Sequence, residues 1–453
     1  MIEELRKNKI YTGEIVSYTS ECCGVAKING YAVFVPGTIV GEIWEIIIVK
    51  VSASAIYGKA VNPVHLSDNR SVSDCSFYPL CGGCSCRHMN YDEELSFKLS
   101  RVNAALSKFS GQSVRCTSII NADSTEDYRN KVIYEVQNRD GKAVFGFYRQ
   151  RTHDIIPVNS CKLQDDLSIK FAGAVTSFMN EKCIPAYDEA TGKGTVRHIY
   201  YRQSFSTEDK VGCIVAAKGF GDYTSQFCDY ILTKVPELTG LLINVNKSKG
   251  NAALTDKFYT LYGSPDIYEV ICGVKFRISP KSFFQIYPAQ AEKLYKKVLA
   301  FASPDKNEDI LDLYCGTGSI GLTLASSCHS VTGVEIIPEA IENAKFNAEI
   351  NAIDNAEFIC SDSSSAYNSV KDKHFNTIIV DPPRKGLEKS VIEDIVKLSP
   401  EKVVYVSCKP ETLARDISIF HENGYILKDV CAADLFPRTH HVETVVLMSR
   451  VKE

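Results

Sequence analysis

The hydrophobic pattern changes character along the chain. Residues 9 to 60 carry short apolar runs, Gly13 to Val16, Tyr31 to Val35 and Gly41 to Val51, broken at Gly24, Gly30, Pro36-Gly37 and Gly58. This spacing predicts a small antiparallel barrel of the OB type. Leu95, Leu99, Val102 and Leu106 then recur at helical spacing and predict an amphipathic helix over 92–108. Tyr128 to Arg151 predicts paired strands with a hairpin turn at Asn138 to Gly141. Residues 165 to 270 form a mixed α/β stretch, with a loop at Asn246 to Asn251. From about residue 271, β-branched runs alternate with helical stretches. Asp309 to Tyr314, Val331 to Glu335, Ala356 to Cys360, Asn376 to Val380 and Lys402 to Ser407 are predicted parallel strands. Predicted helices near 288–302, 319–327, 338–350, 388–398 and 410–422 separate or flank them. The result is a doubly wound α/β domain, whose ligands gather at the carboxyl ends of its strands.

Length divides this pattern into units, because 453 residues are too many for one core. We expect a barrel over 1–62, a cysteine loop over 63–91, a central α/β domain over 92–270 and the doubly wound domain over 271–453. No run reaches the length of a membrane span: Glu45 and Lys50 interrupt the richest short stretch, Ile43 to Val51. Met1 to Ile10 is charged and lacks the apolar core of a signal peptide. A cytoplasmic location is expected. Its 17 cysteines therefore read as buried thiols, metal ligands or nucleophiles rather than a disulfide scaffold. A net charge of −4 gives no global pull toward nucleic acid. Any such contact must be local.

Three stretches carry candidate chemistry. In Cys75-Ser-Phe-Tyr-Pro-Leu-Cys81-Gly-Gly-Cys84-Ser-Cys86, three thiols and a Gly-Gly hinge can converge on a metal. The spacing leaves zinc and an iron–sulfur cluster both open, and leaves Cys86 and distant Cys161 both open as the fourth ligand. Tyr128 to Arg151 interleaves Arg129, Lys131, Arg139, Lys142, Arg149 and Arg151 with Tyr128, Tyr134, Phe145, Phe147 and Tyr148. Such a ribbon suits an RNA backbone and splayed bases; a solvated strand face is the alternative. Gly316, Gly318 and Gly321 follow the first strand of the last domain, and Glu335 ends the second. These match a dinucleotide fingerprint, so NAD competes as a ligand. Asp312, just inside the turn, would oppose a pyrophosphate and favour the cationic methionine part of S-adenosylmethionine. Asp362 follows the third strand, near where an adenine could lie. Asp381-Pro-Pro-Arg384 closes the fourth, with stiff prolines holding the carboxylate in the cleft. Cys408 lies between a strand end and a helix opening at Pro410, where the helix dipole should ease ionisation of the thiol. A buried structural cysteine is the other reading.

Asp381-Pro-Pro-Arg384, Ser407-Cys408-Lys409-Pro410 and His440-His441-Val442-Glu443 together resemble the motifs of an RNA uracil-5 methyltransferase. The resemblance is to the bacterial branch that forms 5-methyluridine in 23S ribosomal RNA, and it spans nearly the whole chain. It implies a Rossmann-like S-adenosylmethionine-dependent catalytic domain and a TRAM domain over about the first 60 residues. It also implies a 4Fe-4S cluster on Cys75, Cys81, Cys84 and Cys161, which leaves Cys86 as an extra thiol. Ser282-Phe283-Phe284-Gln285-Ile286-Tyr287 resembles the family's Phe-x-Gln-x-Asn motif. Gln285, Tyr314, Glu335 and Asp381 then fall at cofactor-site positions, with Ser319 at a further one. Cys408 falls on the nucleophile and Glu443 on the proton-abstracting base. Tyr287, where the family has Asn, Lys409, where Asn is common, and Ser319, often Asn, are departures.

The resemblance implies an RNA partner, 23S ribosomal RNA, and no obligate protein partner. Transfer RNA is disfavoured because the resembled transfer RNA enzymes lack barrel and cluster. An amino-group nucleic-acid methyltransferase and a non-catalytic RNA-binding iron–sulfur protein are the competing readings. The first needs no nucleophilic cysteine, and the second predicts no binding of S-adenosylmethionine.

Overall fold

The computed structural model describes residues 4–108, 114–248, 253–362 and 365–451. The loop expected at Asn246 to Asn251 falls partly outside the described residues. Strands Ile10–Tyr18, Gly24–Ile28, Tyr31–Val35, Ile43–Val51 and Ile56–His65 close into a barrel. Closure comes from Ile10 pairing opposite Ile47, and from Val33 running parallel beside Ile56. Ile15, Ala26, Val33, Val35, Ile46 and Ile48 alternate inward and fill its interior. Gly58, read as a break, lies inside a strand: a β-carbon there would run into Ile46 and Val33.

Helix Tyr91–Leu106 opens on Asn90, whose side chain accepts from the Glu93 amide. Its buried face is rotated from the expected apolar stripe. Glu94, Phe97, Lys98, Val102, Ala105 and Leu106 turn inward, while Leu95 and Leu99 are only half-buried. Two charges can lie on that face because they are paired. Lys98 Nζ donates to Glu94 Oε1 and Asp434 Oδ1 at 2.7 Å each.

The central domain is a seven-stranded sheet. In spatial order it runs Phe258–Gly263, Gly240–Val245, Lys210–Ala216, Val196–Gln203, Lys131–Arg139, Lys142–Tyr148 and Ile155–Pro157. Helices Asp166–Glu181 and Thr224–Lys234 cover one face, over Val132, Tyr134, Ile199 and Ile214. The other face meets the C-terminal domain through Ile133, Tyr200, Val211 and Leu242. The hairpin turn falls where expected, with Asp140 at φ 51° and Gly141 at φ 77°. Its aromatics do not form the expected base-facing row. Tyr128 and Tyr134 are buried, and Phe145 and Phe147 pack on the central core. Alternation along the strands sends Tyr134, Phe145 and Phe147 inward and leaves Arg139 and Lys142 exposed, as are Arg149 and Arg151 beyond the strand end.

The last sheet has eight strands, ordered Ala356–Cys360, Ser330–Glu335, Asp309–Leu313, Thr377–Val380, Lys402–Ser407, Glu443–Arg450, Tyr425–Ala433 and Ile119–Ile120. The first five are parallel and coincide with the predicted ones to within a residue. Glu443–Arg450 enters antiparallel between Lys402–Ser407 and Tyr425–Ala433. The strand order reverses between Asp309–Leu313 and Thr377–Val380, which opens a crevice at their carboxyl ends. Among the described residues, no helix is long and apolar enough to cross a membrane.

Candidate active site

One wall of that crevice is the glycine turn after Asp309–Leu313. Tyr314 adopts φ 65°, Gly316 φ 55° and Gly318 φ 79°, and helix Ser319–Leu324 follows. A tyrosine at positive φ stores backbone strain, which concentrates at functional sites. Asp312 braces the turn from below: Oδ2 accepts from the Gly321 amide at 2.9 Å. Its other oxygen is buried with no hydrogen-bond partner among the described residues. Burial, with Asp381 and Glu335 adding, pushes Asp312 up to about 7. Glu335 ends the next strand. It accepts from the Gly316 amide at 3.2 Å and from those of Ile336 and Ile337 at 2.8 and 3.0 Å. Ser319 Oγ meets Tyr295 Oη at 3.1 Å, which ties the turn to helix Pro288–Ala302. Val380 lies opposite Leu313, so Asp381 and Tyr314 leave adjacent strand ends side by side. Asp362 and Tyr314 both act on the Lys385 ammonium just beyond.

The other wall carries the sulfur. Strand Lys402–Ser407 ends at Cys408, and Pro410 opens the next helix, its missing N–H costing nothing there. Ser407 Oγ accepts from the Lys409 amide at 3.1 Å and shapes the step between them. Ser407 pairs opposite Thr444, which brings Glu443 level with Cys408 on the neighbouring strand. Cys408, Glu443 and Asp381 interact electrostatically, with the Arg384 guanidinium facing the first two.

The expected easy ionisation of Cys408 is overturned. Burial first, then Glu443 and Asp381, push the thiol up to about 11; Arg384 relieves this only in part. Burial, with two carboxyl groups adding to it, outweighs the helix dipole. Glu443 is itself raised to about 8 by burial and Asp381, and burial raises Asp381 to about 7. Alkylation of Cys408 in the free protein, followed on its own peptide by mass spectrometry, should be slow at pH 7. It should climb about tenfold per pH unit toward pH 10, as thiolate forms. Glu443→Gln should speed it above about pH 8, where the wild-type carboxylate would otherwise carry its charge beside the sulfur.

Gln285 lies on the segment leading into helix Pro288–Ala302, nearly buried. Its carbonyl accepts from Asn130 Nδ2 at 3.1 Å, and that of Ile286 accepts from the Asn130 amide at 2.9 Å. These bonds tie Gln285 to the central sheet. The departure at Tyr287 has a structural account. Its ring stacks on Tyr128 at 4.8 Å, and its hydroxyl bonds the Ser124 backbone at 3.1 Å.

Cys75, Cys81, Cys84 and Cys161 line one cavity of about 80 Å³, together with Phe77, Tyr78, Arg87 and Arg129. Cys86 lies elsewhere, buried in an apolar cluster with Cys22, Ile39, Met89 and Phe97. The Gly83 amide and Arg87 Nε donate to the sulfurs of Cys81 and Cys84 at 3.4 Å each. A β-carbon on Gly82 would stand 2.8 Å from the Tyr148 carbonyl, so the hinge needs glycine there. Among the described residues, no three His, Cys, Asp or Glu side chains converge tightly enough for a single metal ion.

The sequence profile of the tRNA (Uracil-5-)-methyltransferase family matches residues 271–451. An uncharacterized RNA methyltransferase of Clostridium acetobutylicum is 40% identical over 452 residues, covering 99% of this chain and 98% of its own. One from Bacillus cereus is 38% identical over 456 residues, covering 100% and 99%. This chain belongs to the RNA uracil-5 methyltransferase family. A Pyrococcus abyssi tRNA (uracil-54, C5)-methyltransferase, solved in complex with S-adenosyl-L-homocysteine, is similar throughout. It is 28% identical with a TM-score of 0.79, and the match covers 96% of this chain and 99% of that one.

In this uracil-5 methyltransferase several groups around the crevice escaped sequence reasoning. Arg384 stood in a quoted motif without a role, yet it is the cation that lowers both Cys408 and Glu443. Loop 434–442, which delivers Glu443, is held from outside the catalytic domain. The Arg438 amide donates to Glu94 at 2.7 Å, and its carbonyl accepts from the Ser85 and Cys86 amides at 3.0 and 3.1 Å. Arg101 Nη1 donates to the His440 carbonyl at 2.7 Å. Burial, His440 and Arg384 push His441 down to about 3, so its ring is neutral at pH 7. No local pattern signals these long-range bonds.

Proposed function

We propose that this RNA methyltransferase transfers a methyl group from S-adenosylmethionine to carbon 5 of a uridine in 23S ribosomal RNA, through a transient Cys408 adduct. The observation carrying this reading is the pairing of Cys408 with Glu443, beside Asp381, at the mouth of the glycine-turn crevice. The methionine sulfonium supplies an electrophilic methyl group when bound. Tyr314, Ser319, Glu335, Asp362 and Asp381 would hold that donor, with Gln285 at its edge.

Carbon 5 of uracil is a weak nucleophile. Cys408 gives up its proton to water and adds as the thiolate to carbon 6, and the ring electrons move to give an enolate; carbon 5 then takes the methyl group as the methyl–sulfonium bond breaks, leaving S-adenosylhomocysteine. Glu443 then removes the carbon 5 proton. Elimination restores the double bond and frees Cys408. One hard step becomes easier ones, which is the gain from covalent catalysis. The uridine must first leave its stack, at a cost of a few kcal/mol.

Cys75, Cys81, Cys84 and Cys161 line one cavity, and four thiols around one cavity support the proposed 4Fe-4S cluster, which they would hold. Protein isolated without oxygen should be brown and carry about four irons. Cys161→Ser should lose colour and iron, and Cys86→Ser should keep both. A colourless zinc protein would overturn the cluster.

A transfer RNA substrate is the second reading. The Pyrococcus neighbour is named for transfer RNA and aligns over 96% of this chain. This removes the argument that barrel and cysteine loop disfavour transfer RNA. Mapping 5-methyluridine across total RNA, in cells with and without this chain, tests both. A site lost from large-subunit ribosomal RNA supports the first, one lost from transfer RNA supports the second, and loss of none opposes both.

A further inference from the structure

Two cations of the central sheet face the catalytic domain without an acid between them. Lys131 opens strand Lys131–Arg139, and Arg202 lies directly opposite on antiparallel Val196–Gln203. Val132, Tyr134, Ile199 and Tyr201 pack under the helices, whereas Ile133 and Tyr200 pack toward the catalytic core. Alternation places Lys131 and Arg202 on the second face. Directly opposed like charges weaken a sheet, and burying an unpaired cation costs more.

Arg202 is 1% exposed. Its Nη1 donates to the Ser282 and Ser279 carbonyls at 3.0 and 3.4 Å. Its Nε and Nη2 are buried without a hydrogen bond to an acid or carbonyl among the described residues, and the buried Tyr200 hydroxyl lies beside the guanidinium. Burial and Arg202 push the half-buried Lys131 ammonium down to about 8. Neighbouring Asn130 spends its amide on the Gln285 carbonyl. The pair thus lies beneath the segment 279–285, which carries Gln285 and the 71% exposed ring of Phe283. An arrangement this costly is relieved by an anion arriving from outside. The segment above it offers a ring on which a neighbouring base can stack.

We propose that Lys131, backed by Arg202, binds a backbone phosphate of the RNA strand carrying the target uridine. This rests on the RNA-methylating reading and adds a phosphate contact to it. The phosphate seats against the Lys131 ammonium, and Arg202 supplies a second positive charge from inside. A carboxylate, such as that of the methyl donor, is the competing anion.

The test measures binding of the full-length protein to a methylatable RNA across a salt series, beside dialysis of the donor. Lys131→Met should weaken RNA binding about tenfold and lower the slope of log affinity against log salt by about 0.7. Lys131→Arg should keep both near the wild type. Donor affinity should not move. Lys131→Met should also raise thermal stability, since it removes a buried like charge beside Arg202; a merely structural lysine would lower it. An unchanged affinity and slope would overturn the proposal, as would weakened donor binding with intact RNA binding. Wild-type protein that methylates RNA while Lys131→Met matches it would sink this contact alone. Wild-type protein with no RNA affinity would sink the function reading as well.

Discussion

Cys408→Ala is expected to reduce methyl transfer by about 10⁴-fold or more, while RNA and donor still bind within a few-fold of the wild type. The sulfur takes no part in holding the fold: it is partly exposed, and neither the glycine turn nor the Asp312 brace touches it. Its loss removes the atom that makes carbon 5 reactive and leaves the rest of the crevice standing. Single-turnover kinetics on RNA separate this from a folding defect, because circular dichroism and donor binding should be preserved. Methylation within tenfold of the wild type would mean that carbon 5 is activated in another way.

Glu443→Gln is expected to slow turnover by about 10²–10⁴-fold, the range general-base help supplies. The block should come after methyl transfer, so the variant should accumulate protein joined to methylated RNA. The wild-type pH profile follows from the same carboxyl group. Burial and Asp381 hold it protonated until about pH 8, and it works only as the carboxylate. Turnover should therefore rise with pH through that value and level off above it. Asp381 is a cause of the raised value, so Asp381→Asn should shift this limb to lower pH. A profile flat between pH 6 and 9, with no adduct in Glu443→Gln, would remove Glu443 from the chemistry.

Much of the catalytic framework was legible because local pattern decides it. The run Val403 to Val406 has three β-branched valines and one ring, Tyr405, as suits a strand buried on both faces, and Pro410 marks the helix start. The partner of Cys408 was legible only by resemblance. Glu443 faces it through the antiparallel entry of Glu443–Arg450, and register between distant segments leaves no local trace. The thiol's ionisation was misjudged for the same reason. Position at a helix start points one way; burial, and after it the carboxyl groups of Glu443 and Asp381 brought in from other strands, point the other.

Elsewhere, burial overruled pattern. Glu94 and Lys98 lie off the expected apolar stripe, yet they are buried and anchor the loop ahead of Glu443 through Asp434. Tyr128 looked like a base-stacking ring, but it is buried against Tyr287 with its hydroxyl on the Pro437 carbonyl at 2.9 Å. Spacing left Cys86 and Cys161 both open and the resemblance named Cys161; of the two, Cys161 is the one that lines the cavity of the other three thiols.

The covalent step is tested most directly by RNA carrying 5-fluorouridine at the target site. Fluorine at carbon 5 cannot leave as a proton, so the sulfur–carbon bond should persist after methyl transfer. Mass spectrometry of the digested complex should find the methylated fluorouridine attached to the peptide containing Cys408, and Cys408→Ala should yield none. A complex that methylates ordinary RNA yet forms no adduct with the fluorinated strand, or one attached at another residue, would contradict the account.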